Sequence, residues 1–361
     1  MTLMPFEAHY ARRRVLITGD TGFTGSWMAA WLQQIGATVC GVALPPLSSP
    51  NLFQEAEISK FVAHYDCDIR DAGRLKTIFK DCNPDLVFHL AAQPLVRQSY
   101  RDALETFATN VMGTANVLDA CRGIGNLKGI VAVTTDKVYR NEEWAWGYRE
   151  TDALGGKDPY SASKAACELV ISSYRESFFS KSDPVVPLAV ARAGNIVGGG
   201  DWAEDRIIPD IVRALTTETP LRLRNPNSTR PWQHVLSACH GYLLIGAGLI
   251  ERPSLVADAW NLGPELADTR TVADVVEAFG AGWKKPEIIH EPSAVAEARA
   301  LMIDSQRARQ VLLWRPAWSF DETLMRTTRW YGAYYDRQSS ATELCMADIA
   351  AYRLMLAAQN R

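Results

Sequence analysis

Short apolar runs alternate with amphipathic stretches along the first half of the chain. Residues 15–17, 38–43, 61–65, 86–90, 130–134 and 188–191 read as strands, and 25–34, 70–80, 104–122 and 161–179 as helices. The strands are continuously apolar rather than alternating, which is the pattern of strands buried on both faces. Helices between them predict a parallel sheet covered on both sides. The expected fold class is α/β, a doubly wound parallel sheet that binds its ligands at the C-terminal ends of the strands.

The rhythm changes near Gly194. Glycine, proline, tryptophan and arginine become dense through His234, and helical patterns return at 235–250 and 271–280. This predicts a Rossmann domain from 1–194, joined by about 234–262, and a smaller mixed α/β substrate lobe from 195–233 and 263–361. Residues 1–11 and roughly the last 20 are expected to be loosely held, as chain ends commonly are.

Composition narrows the class without changing it. The 361 residues are 47% hydrophobic and 22% charged, with a formal net charge of -3. That suits a globular protein and gives no reason to expect nucleic acid as a partner. The apolar stretch after Arg12, Arg13 and Arg14 is broken at once by GDTG, and the longest membrane-like run, 242–250, is far below the ~18 residues of a span. No membrane association is expected. Seven scattered cysteines without a CxxC pair predict free thiols in a reducing cytoplasm. Dispersed histidines predict no metal site.

The first strand runs straight into Gly19-Asp20-Thr21-Gly22-Phe23-Thr24-Gly25 and then a helix. Gly19 permits a tight turn, Gly22 lets the backbone approach a pyrophosphate, and Gly25 allows close helix–strand packing. The helix N-terminus offers unpaired N–H groups to phosphate. Thr21, Phe23 and Thr24 fall within the same cofactor loop. The second strand ends in Leu44, Pro45 and Pro46, without the acidic residue that usually binds an NAD ribose and without a cation for NADP. NAD held in an unusual or weak way is the expectation.

Tyr160 and Lys164 lie one helical turn apart, on one face. An ammonium beside a phenol would lower its pKa from ~10 and make the phenolate a base for a substrate hydroxyl. Thr134 and Thr135 end the fifth strand, with Thr134 expected at the cofactor and Thr135 placed to orient substrate and tyrosine; Tyr160 and Lys164 are expected to touch the cofactor as well. Asp136 and Lys137 follow; they read either as acid–base groups at a strand's C-terminal end or as an ordinary charged turn.

The GxxGxxG spacing with Tyr160 and Lys164 resembles the extended short-chain dehydrogenases/reductases. The resemblance implies that Asp68-Ile69 contacts adenine, that Leu90-Ala91-Ala92 lies beneath the cofactor, and that Asn110 belongs to the nicotinamide side. On the residues alone, Asp68 serves equally as a helix cap. Thr135-Asp136-Lys137, with ARAGNIVGGGDWAEDRIIPD at 191–210, RNPNSTRPWQHV at 224–235 and LMIDSQRARQVLLWRPAW at 301–318, is similar to the nucleotide-sugar 4,6-dehydratases. Lysine at 137, where glutamate stands in the thymidine- and GDP-linked enzymes, resembles the CDP-glucose group. The chain departs from that group in having Leu313 where glycine usually precedes the tryptophan.

The resemblance implies a reaction that borrows NAD: Tyr160 deprotonates the C4 hydroxyl, Lys137 takes the C5 proton, Asp136 protonates the leaving C6 hydroxyl, and hydride returns to C6. A lysine base works from its neutral form, which burial or nearby cations would favour. Asn195, Arg206, Arg222 and Arg230 are candidates for a sugar diphosphate. Trp202 reads as a stacking partner for the base or as core. A homodimer or homotetramer is implied by the resemblance. Competing readings are another base's dehydratase, a C4 epimerase, a simple reductase, and a dinucleotide sensor without catalysis.

Overall fold

The computed structural model describes residues 3–265, 269–291 and 300–359. The parts of the expected substrate lobe at 266–268, 292–299 and 360–361 lie outside them. Seven strands form one parallel sheet: β1 (Arg14–Thr18), β2 (Thr38–Ala43), β3 (Val62–Asp66), β4 (Leu86–His89), β5 (Gly129–Val133), β6 (Leu188–Ala193) and β7 (Ala259–Leu262). Their spatial order is β7-β6-β5-β4-β1-β2-β3. The order reverses at β1 and β4, so the C-terminal ends of those two strands flank the crevice where such sheets bind ligands. Helices cover both faces, with one apolar core around Trp27, Phe88 and Leu243 and another around Leu75, Val117 and Ile171.

The strands fall where the apolar runs predicted, within a residue or two, except for β7. Ala259-Trp260-Asn261-Leu262 is short and carries a polar residue, so its pattern does not announce a strand. Helix α1 spans Phe23–Gln34, and α2 Pro159–Ser177. The long helix expected at 104–122 is interrupted: Ala103–Phe107 and Gly113–Cys121 flank a π turn at Ala108–Met112, which contains Asn110. A wide turn of this kind re-aims a side chain and is common at functional sites.

Both chain ends correct the expectation of loose termini. Glu7 and Tyr10 are fully buried, and Tyr10 Oη donates to Leu243 O at 2.5 Å. The last helix, Ala341–Gln359, buries Cys345, Ile349, Tyr352 and Leu356. Enough apolar surface is packed there to hold both segments as core. All seven cysteines are free and buried. No helix among the described residues is long and apolar enough to cross a membrane.

Candidate active site

The glycine loop has the geometry its spacing requires. Gly19 has φ +83°, and a Cβ there would meet the backbone of Ala91 at 2.7 Å. A Cβ on Gly25 would stand 2.0 Å from Gly19 O, so that turn closes only with glycine. A Cβ on Gly22 would meet only Gly19 O, at 3.3 Å, which leaves the outer side of the loop open. The N-terminus of α1 has no side-chain cap. Open backbone at an uncapped helix end fits a pyrophosphate. Thr21 Oγ1 donates to Leu44 O at 2.9 Å and ties the loop to the end of β2, while Phe23 and Thr24 form the first turn of α1.

Beneath this loop lies a feature that sequence reasoning missed. Asp20 is fully buried, and its Oδ2 sits 2.0 Å from where a Cβ on Gly41 would be. Its partner is His64 Nδ1, at 2.7 Å, and His64 Nε2 lies 3.1 Å from Asp66 Oδ1. Burial pushes the Asp20 carboxyl up, and the bond to Asp20 raises His64. A glycine inside an apolar strand was the only available signal, marking a close approach.

The remaining cofactor candidates divide. His89 accepts or donates on both ring nitrogens, to Thr18 Oγ1 at 2.7 Å and Thr114 Oγ1 at 2.9 Å, and Thr18 Oγ1 receives the N–H of Ala91. That chain fixes the Leu90-Ala91-Ala92 turn above β1 and β4. Asn110 is buried and bonds to both backbone groups of Gln93 and to Ser163 Oγ on α2. It therefore stitches the turn after β4 to the tyrosine helix and is not the solvated asparagine of an ordinary helix. Asp68 is engaged by Arg70, whose backbone N–H lies 2.8 Å from Oδ1 and whose guanidinium takes both oxygens. That carboxylate is held below its usual range by Arg70 and closes a local turn. Ile69 is buried against Gly113.

Tyr160, Lys164, Thr135, Asp136 and Lys137 come together at the end of β5. Tyr160 is placed by the first turn of α2, capped by Asp158 and held by Ser99 Oγ, which accepts the Tyr160 N–H at 3.1 Å. Burial pushes its phenol up to about 12, and Asp136 pushes in the same direction; a hydrogen bond with Thr135 and the charge of Arg206 oppose them. This corrects the expected lowering by Lys164. The lysine Nζ instead faces Val133 O at 3.4 Å, and burial lowers its own pKa. Thr135 Oγ1 donates to Asp136 Oδ1 at 3.0 Å and accepts the Lys137 N–H at 3.3 Å. Asp136 is 1% exposed, and its Oδ2 has no hydrogen-bond partner. A buried acceptor without a partner is costly unless a ligand uses it. Lys137 keeps 32% of its side chain exposed and its Nζ lies 4.0 Å from Asp136 Oδ1, so it is less buried than expected for a lysine base. Thr134 corrects its expected place at the cofactor: its hydroxyl turns away from this space and donates to Glu168 Oε1 at 2.8 Å.

Of the substrate candidates, Arg206 stands nearest the chemistry. It pairs with Asp201 at 2.9 Å while its charge acts on Tyr160. Asn195 has a buried Oδ1 without a partner. Arg230 is buried in a short antiparallel pair with Arg270, its Nη1 donating to Thr229 O. Arg222 is 72% exposed and paired with Glu291, outside this cluster. Trp202 packs edge-on against Trp330 and Tyr331 and donates to Tyr335 Oη at 3.0 Å, so its ring is core and not a free stacking face.

Residues 16–327 match the family model described as GDP-mannose 4,6 dehydratase. The chain belongs to this family. A CDP-glucose 4,6-dehydratase of Salmonella typhimurium is 42% identical over 89% of this chain and 91% of its own length. The dTDP-glucose 4,6-dehydratase of Streptomyces antibioticus is 28% identical over 88% and 92%. Among solved structures, the dTDP-glucose 4,6-dehydratase DesIV of Streptomyces venezuelae, with NAD bound, superposes with a TM-score of 0.76 at 25% identity, covering 90% of this chain and 98% of that one. The UDP-glucose 4-epimerase of Thermus thermophilus, in complex with NAD, gives 0.77 at 25% identity over 88% and 98%. The dehydratase family thus shares its scaffold with epimerases.

Proposed function

We propose that this chain converts CDP-glucose to CDP-4-keto-6-deoxyglucose and water, with NAD regenerated in every turnover. The observation that carries the reading is Asp136 and Lys137 side by side at the end of β5 beside Tyr160, since a net dehydrogenase or a sensor needs no acid–base pair there. The Salmonella relative supports the choice of cytidine nucleotide. Gly19, Gly22, Gly25 and the N-terminus of α1 would hold the cofactor's pyrophosphate. Bound there, NAD accepts a hydride from C4 and gives it back at C6.

The chain's own groups do the rest. Tyr160 takes the proton of the C4 hydroxyl, and the ketone so formed acidifies C5. Lys137 removes the C5 proton as Asp136, from Oδ2, protonates the departing C6 hydroxyl. The same lysine returns its proton to C5 when hydride reaches C6. Resetting the site requires one proton to pass from Tyr160 to Asp136, and the Thr135 hydroxyl, bonded toward both, spans them. Asn195, Arg206 and Arg230 are proposed to hold the sugar diphosphate in a lobe built from 195–233 and 263–361. Exposed Leu104, Phe107 and Met112, with Leu169 on the neighbouring α2, suit a homodimer contact or one pair of a homotetramer. Seven unpaired thiols suit the cytoplasm.

The deciding experiment supplies CDP-glucose with catalytic NAD⁺. A 4-keto-6-deoxy product in excess of cofactor is expected. Turnover of dTDP-, UDP- or GDP-glucose but not CDP-glucose would overturn the base assignment, and a C4 epimer as sole product would overturn the elimination.

A further inference from the structure

The turn that carries Asp136 and Lys137 has little structure of its own. It is a single 3-10 turn, Asp136–Val138, between the end of β5 and an irregular segment. Yet both its flanks reach the same buried ion pair. On the near side, Thr134 Oγ1 donates to Glu168 Oε1 at 2.8 Å. On the far side, Tyr139 Oη accepts from Arg192 Nη1 at 2.7 Å. Arg192 and Glu168 bind one another through Nε and Nη2 on one side and both carboxylate oxygens on the other, with Nε to Oε1 at 2.8 Å. They are 3% and 6% exposed. Arg192 stands on β6, and Glu168 lies one turn beyond Lys164 on α2. Tyr139 Oη then donates to Asn261 Oδ1 on β7 at 2.7 Å, which closes the network.

We infer that the Arg192–Glu168 pair is a positioning device for the elimination step, clamping the Asp136–Lys137 turn through Thr134 on one side and Tyr139 on the other. This inference rests on the reading of that turn as the acid–base element. A buried ion pair of this kind is poor evidence of net stability, because desolvation offsets the attraction, but its directional bonds fix geometry. Geometry is what elimination demands. Lys137 must meet C5 and Asp136 must meet the C6 oxygen in one bound sugar, and a misplacement of about 1 Å can cost on the order of a hundredfold in rate. Hydride transfer demands less of the turn. The Tyr160 backbone is held separately, by the Asp158 cap, by Ser99 and by the Asn110–Ser163 bond, and its hydroxyl meets Thr135 at the start of the turn and not the Asp136–Lys137 side chains. Losing one arm of the clamp should therefore slow elimination while C4 oxidation continues.

The arms can be cut conservatively. Tyr139→Phe keeps the ring stacked on Tyr148 and beneath the Arg192 guanidinium but removes both hydroxyl bonds. Thr134→Val removes the other arm at constant shape, and Thr134→Ser restores its hydroxyl. Each variant, as full-length protein with NAD⁺ and CDP-glucose, is followed in a single turnover by nicotinamide absorbance and by quenched product analysis. For Tyr139→Phe and Thr134→Val, reduced nicotinamide should form within about twofold of the wild-type rate and then accumulate, while product formation falls about tenfold or more. Thr134→Ser should recover most of the product rate, which a merely space-filling role does not predict. If both steps slow together, if neither slows, or if the serine variant behaves like the valine one, the inference is overturned. Wild-type protein that forms neither reduced cofactor nor product from CDP-glucose would instead sink the underlying reading of function. If Tyr139→Phe does not fold, the Thr134 pair alone decides.

Discussion

Arg353 Nη2 lies 2.6 Å from Glu7 Oε2, joining the last helix to the first turn, and both side chains are buried. Glu7 also receives Trp31 Nε1 at 3.0 Å and the Met4 N–H at 2.9 Å. Arg353→Met would leave that carboxylate buried without its cation, an expected loss of about 3–5 kcal/mol in urea denaturation. Removing the charge as well, in Glu7→Gln/Arg353→Met, should recover part of it.

Stability should fall on acidification from pH 6 to pH 5. Burial pushes His89, His234 and His240 each down to about 3, so the folded chain holds them neutral while the unfolded chain protonates them near 6.5. A depressed folded value contributes stability above the unfolded pKa and loses it as pH falls, by up to about 1.4 kcal/mol per unit for each imidazole. Asp348 opposes this. Burial raises its carboxyl to about 7, so its contribution is present at low pH and lost as pH rises through that value. Asp20, His64, Glu150 and Asp210, all raised, act in the same opposing sense. Between pH 5 and 6 the unfolded histidines are mostly protonated and all three act together, so the urea midpoint at pH 6 should exceed that at pH 5; an equal or lower midpoint at pH 6 contradicts the assignment.

Leu313 has φ +55° and is 77% exposed. A left-handed backbone costs a non-glycine residue about 1–2 kcal/mol, and little packing is lost on removing this side chain. Leu313→Gly should raise the melting temperature, with a gain of about 1 kcal/mol. An unchanged or lower melting temperature would show that the leucine packs more than its exposure suggests.

Two of the loop glycines should separate fold from cofactor. Gly25→Ala forces a Cβ to 2.0 Å from Gly19 O, and the expected result is loss of both stability and NAD binding. Gly22→Ala meets only a 3.3 Å contact, so its thermal unfolding should stay near wild type while NAD affinity, read by titration calorimetry, drops. Equal affinity in Gly22→Ala would remove that residue from the cofactor site.

Tyr160→Phe should abolish the appearance of reduced nicotinamide with CDP-glucose. Lys137→Ala should leave that first step and remove exchange of the C5 proton with solvent deuterium. Elimination at the wild-type rate in the lysine variant would transfer the base role to another group.

The sheet was legible because most of its strands are built around an unbroken apolar run, and the glycine loop because its strand and helix flank it directly. What escaped notice has a common cause. Arg192 and Glu168 look like ordinary charges within a strand and a helix, and only tertiary contact turns them into a buried pair. Asn261 hides in a strand too short to show a period. Arg222 and Trp202 are candidates by residue type alone, and residue type does not report whether a guanidinium meets a surface glutamate or an indole meets three other rings. The chain ends read as peripheral because position in sequence is a poor guide to burial.

The seven buried, unpaired thiols give the molecule an internal clock for its own opening. A thiol-directed reagent at neutral pH can label them only as fast as the surrounding core parts. Cys239 and Cys345 lie in the core that joins the two ends of the chain, and Cys121 and Cys167 in the one on the other face of the sheet. The order of their labelling would therefore tell which side of the sheet lets go first.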